Sequence, residues 1–338
     1  VEQYKGGKWT QILKTADNKT VTHTVNGLAA GKTYTFRIKA YKTVGSTVLY
    51  SDYTRLAAVT DKTTQPGNVA SFARKSATSS TLTLQWSKNA NATGYAIERY
   101  TGGKWVEILR TANNATVTHT VNGLAAGTTY TFRIRAFNGS AYSGYTRLAA
   151  TTLPSNVTSF IKKSGTASTL NLQWAKNNSA TGYVVEQYKG GKWTQIAKTS
   201  SNATVTYTVN GLKADTTYTF RVRAYKTAAG KTIYSEYTRL AAKTRIAKVA
   251  SFRVTGTTTS AVEFSWNKND KATGYIIETY RGGKWTAIAT TKNNTTLRFT
   301  VKGLARNTTY SFRIKAFRKT GSTTEFSEYA SVKVNTAE

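Results

Sequence analysis

The chain has 338 residues, no cysteine, no methionine and a net charge of +33. The lack of cysteine excludes a disulfide framework and any thiolate metal site, and no apolar run approaches the roughly 18–20 residues that span a bilayer as a helix. Positive charge of this density implies an acidic partner such as nucleic acid, wall polymer, acidic polysaccharide or an anionic cell surface, or else serves to keep a long array soluble.

Read from its start, the chain repeats itself four times. Val1-Glu2-Gln3-Tyr4 matches Val185-Glu186-Gln187-Tyr188, and in the third copy that stretch begins 28 residues after Val157. The first copy therefore lacks its opening, including the counterpart of Trp86, Trp174 and Trp266. With no methionine present, the natural chain is expected to extend upstream. Gly-Gly-Lys-Trp follows, ending at Trp9, Trp105, Trp193 and Trp285. A longer string then places a tyrosine at Tyr34, Tyr130, Tyr218 and Tyr310, spaced 96, 88 and 92 residues apart. A period of this size predicts an array of similar domains: a partial one over 1–61 without its first two strands, and complete ones over 66–152, 153–244 and 245–338. Cut after residues 65, 152 and 244, the four segments carry +6, +7, +10 and +10, so the charge belongs to every repeat.

Each complete copy opens on alternating apolar and polar residues, in Thr81–Trp86, Thr169–Trp174 and Ala261–Trp266. A period of two predicts half-buried strands. Thr131–Ala136 continues the pattern, with Phe132, Ile134 and Ala136 inward and Arg133 and Arg135 outward. Gly102-Gly103 and Asn122-Gly123 supply the positive φ that tight turns demand. No segment sustains a 3.6-residue period, and about seven short strands per roughly 90 residues predict a β-sandwich. From Thr60, Thr152 and Thr244 to Val69, Val157 and Val249 the links span 9, 5 and 5 residues, and they hold the only prolines, Pro66 and Pro154. Links this brief predict a semi-rigid rod longer than about 100 Å, with the longer first link as its bend.

Trp86, then Gly94-Tyr95-x-Ile97-Glu98, then Leu124 with Thr129-Tyr130-x-Phe132-x-Ile134-x-Ala136, resemble the fibronectin type III family. The likeness recurs in every complete copy and is closest in style to bacterial extracellular versions. It implies an all-β chain of tandem immunoglobulin-like sandwiches. It also implies that Tyr34, Tyr130, Tyr218 and Tyr310 form tyrosine corners and that Trp86, Trp174 and Trp266 pack between the sheets. No Arg-Gly-Asp occurs, so integrin binding through that motif has no support.

Candidate chemistry is sparse. The two histidines, His23 and His119, share a repeat position with Tyr207 and Phe299, which marks an aromatic packing site rather than a catalytic or metal site. Glu2, Glu98, Glu186 and Glu278 recur singly, without the second carboxylate that glycoside hydrolysis needs. Each is expected to pair across strands with the arginine of its own repeat. The outward pairs Arg37/Lys39, Arg133/Arg135, Arg221/Arg223 and Arg313/Lys315, together with Lys8, Lys104, Lys192 and Lys284, form a candidate basic face repeated once per domain. Such a face meets polyanions by charge alone, without sequence-specific reading of nucleic acid; a solvated sheet face is the simpler alternative. The Gly-Gly-Lys-Trp tryptophans either pack over the sandwich edge or present a stacking platform.

No cofactor and no membrane span are expected in this segment, and no enzyme activity. The expected role is that of an extracellular structural or adhesive scaffold or spacer in a long bacterial surface or secreted protein, with filament formation as one form of it. The expected partners are neighbouring copies of the chain or acidic surface polymers. The alternatives are a polyanion- or polysaccharide-binding module and the accessory domains of a secreted polysaccharide-degrading enzyme.

Overall fold

Threonine-rich alternating segments make strands because β-branched side chains pack well against cross-strand neighbours on a half-exposed pleated surface. The computed structural model describes residues 1–61 and 64–338. Lys62 and Thr63, within the first link where a bend is expected, lie outside the described residues. The described chain is all-β, in several antiparallel sheets.

The third copy shows the plan. Ile161–Gly165, Leu170–Gln173 and Thr206–Val209 form one antiparallel sheet. The facing sheet runs Lys192–Lys198, Gly182–Lys189, Thr217–Ala228, Lys231–Tyr234, and Thr238–Lys243 also pairs with the long strand Thr217–Ala228. Inward residues of both sheets make the core: Leu170, Leu172, Trp174, Tyr183, Val185, Phe220 and Val222 are all buried. Trp174 stands edge-on to Tyr183, with ring centroids 5.4 Å apart. Gly182 opens its strand where a Cβ would lie 2.3 Å from the Thr199 carbonyl, so only glycine lets the two segments approach. A one-residue bulge beside Glu186 leaves Ile196 unpaired and packs it against the core.

The second and fourth copies repeat this arrangement with the same three- and five-stranded sheets. The hairpin tips at Gly102-Gly103, Gly190-Gly191 and Gly282-Gly283 take φ between +56° and +79°, as a tight turn between these strands requires. At the corner before the long strand, the amide of Lys213 donates to the Tyr218 hydroxyl (2.8 Å). Ala305 does the same to Tyr310 (3.0 Å) and Ala29 to Tyr34 (2.8 Å).

The first copy has a single larger sheet, ordered Lys8–Gln11, Glu2–Lys5, Thr33–Ile38, Thr54–Val59, and a separate hairpin of Tyr41–Val44 with Thr47–Tyr50. Its segment 22–25 aligns with Thr206–Val209 yet forms no strand. A strand needs a neighbour to satisfy its N–H and C=O groups, and among the described residues no strand equivalent to Leu170–Gln173 lies beside this segment. Ile38 is consequently 52% exposed, whereas its equivalent Val222 is wholly buried.

Candidate functional site

Because side chains alternate along a strand, the outward residues of Gly182–Lys189, Lys192–Lys198 and Thr217–Ala228 meet on one face. There the first arginine of the long strand lies between two rings. Arg221 is 4.3 Å from Trp193 and 3.8 Å from Tyr237. The next outward cation continues the stack, with Arg223 4.6 Å from Tyr237 and 3.8 Å from Tyr234. The alternation is therefore Trp–Arg–Tyr–Arg–Tyr.

The same ladder stands in every copy. In the first, Arg37 lies between Trp9 and Tyr53 and Lys39 between Tyr53 and Tyr50. In the second, Arg133 lies between Trp105 and Tyr145, and Arg135 between Tyr145 and Tyr142. In the fourth, Arg313 lies between Trp285 and Tyr329, and Lys315 between Tyr329 and Phe326. An outer arginine extends three of them, with Arg55, Arg147 and Arg239 5.6–5.7 Å from their tryptophans.

A glutamate lies under each ladder, and the cross-strand pair expected from the sequence is present four times. Glu98 accepts from Arg133 Nε (2.7 Å) and from the Tyr145 hydroxyl (2.5 Å). Glu186 accepts from Arg221 Nε (2.6 Å) and Tyr237 (2.8 Å), and Glu278 from Arg313 Nε (2.6 Å) and Tyr329 (3.0 Å). Glu2 accepts from Arg37 Nε (2.5 Å) and Tyr53 (3.3 Å). Burial alone would push the Glu98 carboxyl up, but the hydrogen bonds from Tyr145 and Arg133 outweigh it and hold the group below its ordinary range. Glu278 follows the same balance, with Arg313 and Tyr329 opposing burial. The Tyr145 hydroxyl is raised, first by burial and then by its bond to Glu98.

This geometry uses the strand cations internally. Arg133 and Glu98 expose only 20% and 9% of their side chains. Their guanidinium–carboxylate bond and stacked rings leave little of the arginine to meet a polyanion. The Nε atoms of Arg135 and Arg223 have no hydrogen-bond partner and rest against ring faces. Lys8, Lys104, Lys192 and Lys284 do not join the ladder. Each precedes a ladder tryptophan on its strand, so the two side chains point to opposite sides, and all four lysines are exposed at hairpin tips. The tryptophans themselves are half-buried, each against the tyrosine opposite it, as in Tyr100–Trp105 at 5.3 Å. The ring rungs Tyr53, Tyr145, Tyr237, Tyr329 and Tyr50, Tyr142, Tyr234, Phe326 escape a reading confined to charged residues. Their signal was in register all along: an aromatic just before and another two residues after Ser51, Ser143, Ser235 and Ser327.

His119 is half-buried, and burial lowers its pKa, which suits a neutral packing ring. Its counterpart Tyr207 donates its hydroxyl to the Ile196 carbonyl (2.9 Å). Among the described residues no three His, Asp or Glu side chains gather as a metal site.

The fold and the repeated brace define a tandem array of immunoglobulin-like β-sandwiches. A family model of the fibronectin type III domain matches residues 65–151, 154–239 and 247–333. The chain belongs to the fibronectin type III family. It is 31% identical over 268 residues to a protein named chitinase A1 from Niallia circulans, covering 74% of this chain and 33% of that one. It is 27% identical over 317 residues to exoglucanase B from Cellulomonas fimi, covering 85% of this chain and 27% of that one. The chain thus spans a third or less of the length of these relatives. A solved structure of the chicken CNTN1 FN1–FN3 domains aligns over 81% of this chain and 99% of its own, at 16% identity and a TM-score of 0.31.

Proposed function

We propose that this array is a non-catalytic spacer and scaffold in an extracellular bacterial protein that works on polysaccharide. The observation that carries the reading is the ladder. In all four copies the residues best suited to chemistry or to a ligand, namely the recurring glutamate, the paired cations and the aromatic rungs, are engaged with one another. The names of the two bacterial relatives support the polysaccharide context, and their much greater length leaves room for a catalytic part outside the matched stretch.

The test is incubation of the chain with chitin and with cellulose, followed by assay of released sugar. No release above a denatured control is expected, and sustained turnover abolished by a single point substitution would overturn the reading.

Contact with neighbouring copies or acidic polymers is the second role. It falls to the exposed hairpin-tip lysines, which have no ring above them and no carboxylate beside them in the ladder. Replacing Lys104 and Lys192 with glutamine is expected to lower retention on an acidic polysaccharide column and to flatten its salt dependence. Retention unchanged by these substitutions would remove the lysines from that role.

A further inference from the structure

The link between the third and fourth sandwiches has no slack. Thr244 is fully buried and its hydroxyl donates to the Lys213 carbonyl (2.7 Å). The Arg245 amide donates to the Thr166 carbonyl (3.0 Å), and the Arg245 carbonyl accepts from the Asp215 amide (2.9 Å). The next residue, Ile246, is fully buried in the core of the fourth sandwich. One residue is hydrogen-bonded into the third sandwich and its neighbour is packed into the fourth.

A charged cluster spans the same joint. Asp215, on the turn before the long strand of the third sandwich, accepts from Lys243 (2.7 Å) and from Arg318 of the fourth (2.6 Å). Arg318 also pairs with Glu325 across its own hairpin. The Ala167 amide donates to Glu328 (3.4 Å), and Lys162 donates to the Lys243 carbonyl (2.6 Å). Asp215 and Arg318 expose only 12% and 20% of their side chains, so solvent and salt screen the pair weakly.

Neither member is part of the repeat. Where the third copy has Asp215 the others have Gly31, Gly127 and Asn307, and where the fourth has Arg318 the others have Lys42, Asn138 and Lys226. Asp215 sits at φ +52°, in the left-handed region that glycine occupies at 31 and 127. A side chain that tolerates this backbone less well than glycine stands here, and its carboxylate reaches across the joint.

We propose that the third and fourth sandwiches move as one body, held at a fixed angle by the ion cluster of Asp215 and Arg318 over a link that both domains clamp. This gives the array a stiff elbow whose ion cluster uses residues that the other copies do not carry at the same repeat positions. It extends the spacer reading without depending on it, since a rigid elbow would exist whatever the array carries.

The absence of native cysteine makes the test direct. Nitroxides are placed on the full chain at Lys192→Cys and Lys284→Cys, both exposed hairpin tips, and the distance distribution is read by double electron–electron resonance. A single narrow peak is expected. Arg318→Gln should replace it with a broad distribution, and so should Asp215→Gly, which restores the residue that other copies use at this turn and so preserves local folding. Lys226→Gln, at the repeat position of Arg318 but remote from the cluster, should leave the peak narrow. A broad distribution in the parent chain, or a peak that stays narrow in both Arg318→Gln and Asp215→Gly, would overturn the proposal.

Discussion

At the scale of the residue, the glutamate beneath each ladder decides what the neighbouring arginine is for. An exposed ion pair contributes about 0–1 kcal/mol, but here the guanidinium is also stacked on two rings, each contact contributing about 0.5–1 kcal/mol. Arg133→Ala removes both and strands a largely buried carboxylate, so we expect a loss of about 2–3 kcal/mol in the unfolding of the second sandwich. Tyr145→Phe keeps the ring and deletes the hydroxyl bonded to Glu98, and should cost only about 1 kcal/mol. Urea unfolding of the full chain followed by calorimetry of each transition would separate the two.

The pH dependence has a definite sign. The folded Glu98 carboxyl is held below its unfolded value, so its contribution is present above that value and disappears as pH falls through the folded one. The stability gap between the parent chain and Glu98→Gln should therefore be widest at neutral pH and close as pH falls through and below the ordinary carboxylate range. A gap that stays constant over that range would mean that the carboxylate is not ionically engaged.

At the scale of the element, the long strand with its glycine-turned hairpin partner organises each sandwich. Gly182 begins the strand beside it against the Thr199 carbonyl and the Tyr225 ring. Gly182→Ala forces a methyl into that contact, and we expect it to cost about 1–3 kcal/mol, as overpacking generally does. Gly191→Ala meets nothing within 4 Å, and its cost of about 1 kcal/mol comes from the backbone, held at φ +78°. Thermal unfolding of the two variants should rank them in that order.

This is also the scale at which the sequence was most legible. Alternation in Thr131–Ala136 marks which side of the strand is core, because a period of two admits only one assignment of faces once Phe132 and Ile134 are inside. The Glu98–Arg133 pair follows from the same parity. The full ladder did not follow, because Tyr142 and Tyr145 reach Arg135 from the return strand and the loop after it, and which rings fold over which cations depends on three-dimensional closure. Lys104 was misleading for a related reason: adjacent to Trp105 in sequence, it points the other way. Asp215 was invisible because it breaks the repeat instead of following it.

At the scale of the whole molecule, the repeat places the same brace in each copy, while the hairpin-tip lysines Lys8, Lys104, Lys192 and Lys284 lie outside the ladders and are exposed. The net charge of +33 therefore overstates the charge available to a partner, since the strand arginines are paired and stacked. In the first copy Ile38 of the long strand and Leu56 of its neighbour are exposed, and the same ladder is present.

The spacer reading is tested most directly by small-angle X-ray scattering from the full chain in dilute solution. Short links between successive sandwiches predict an extended particle, with a maximum dimension above about 100 Å and a radius of gyration well beyond the ~20 Å of a compact chain of this length. A radius near that compact value would mean that the sandwiches fold back on one another, and the array could not act as a spacer.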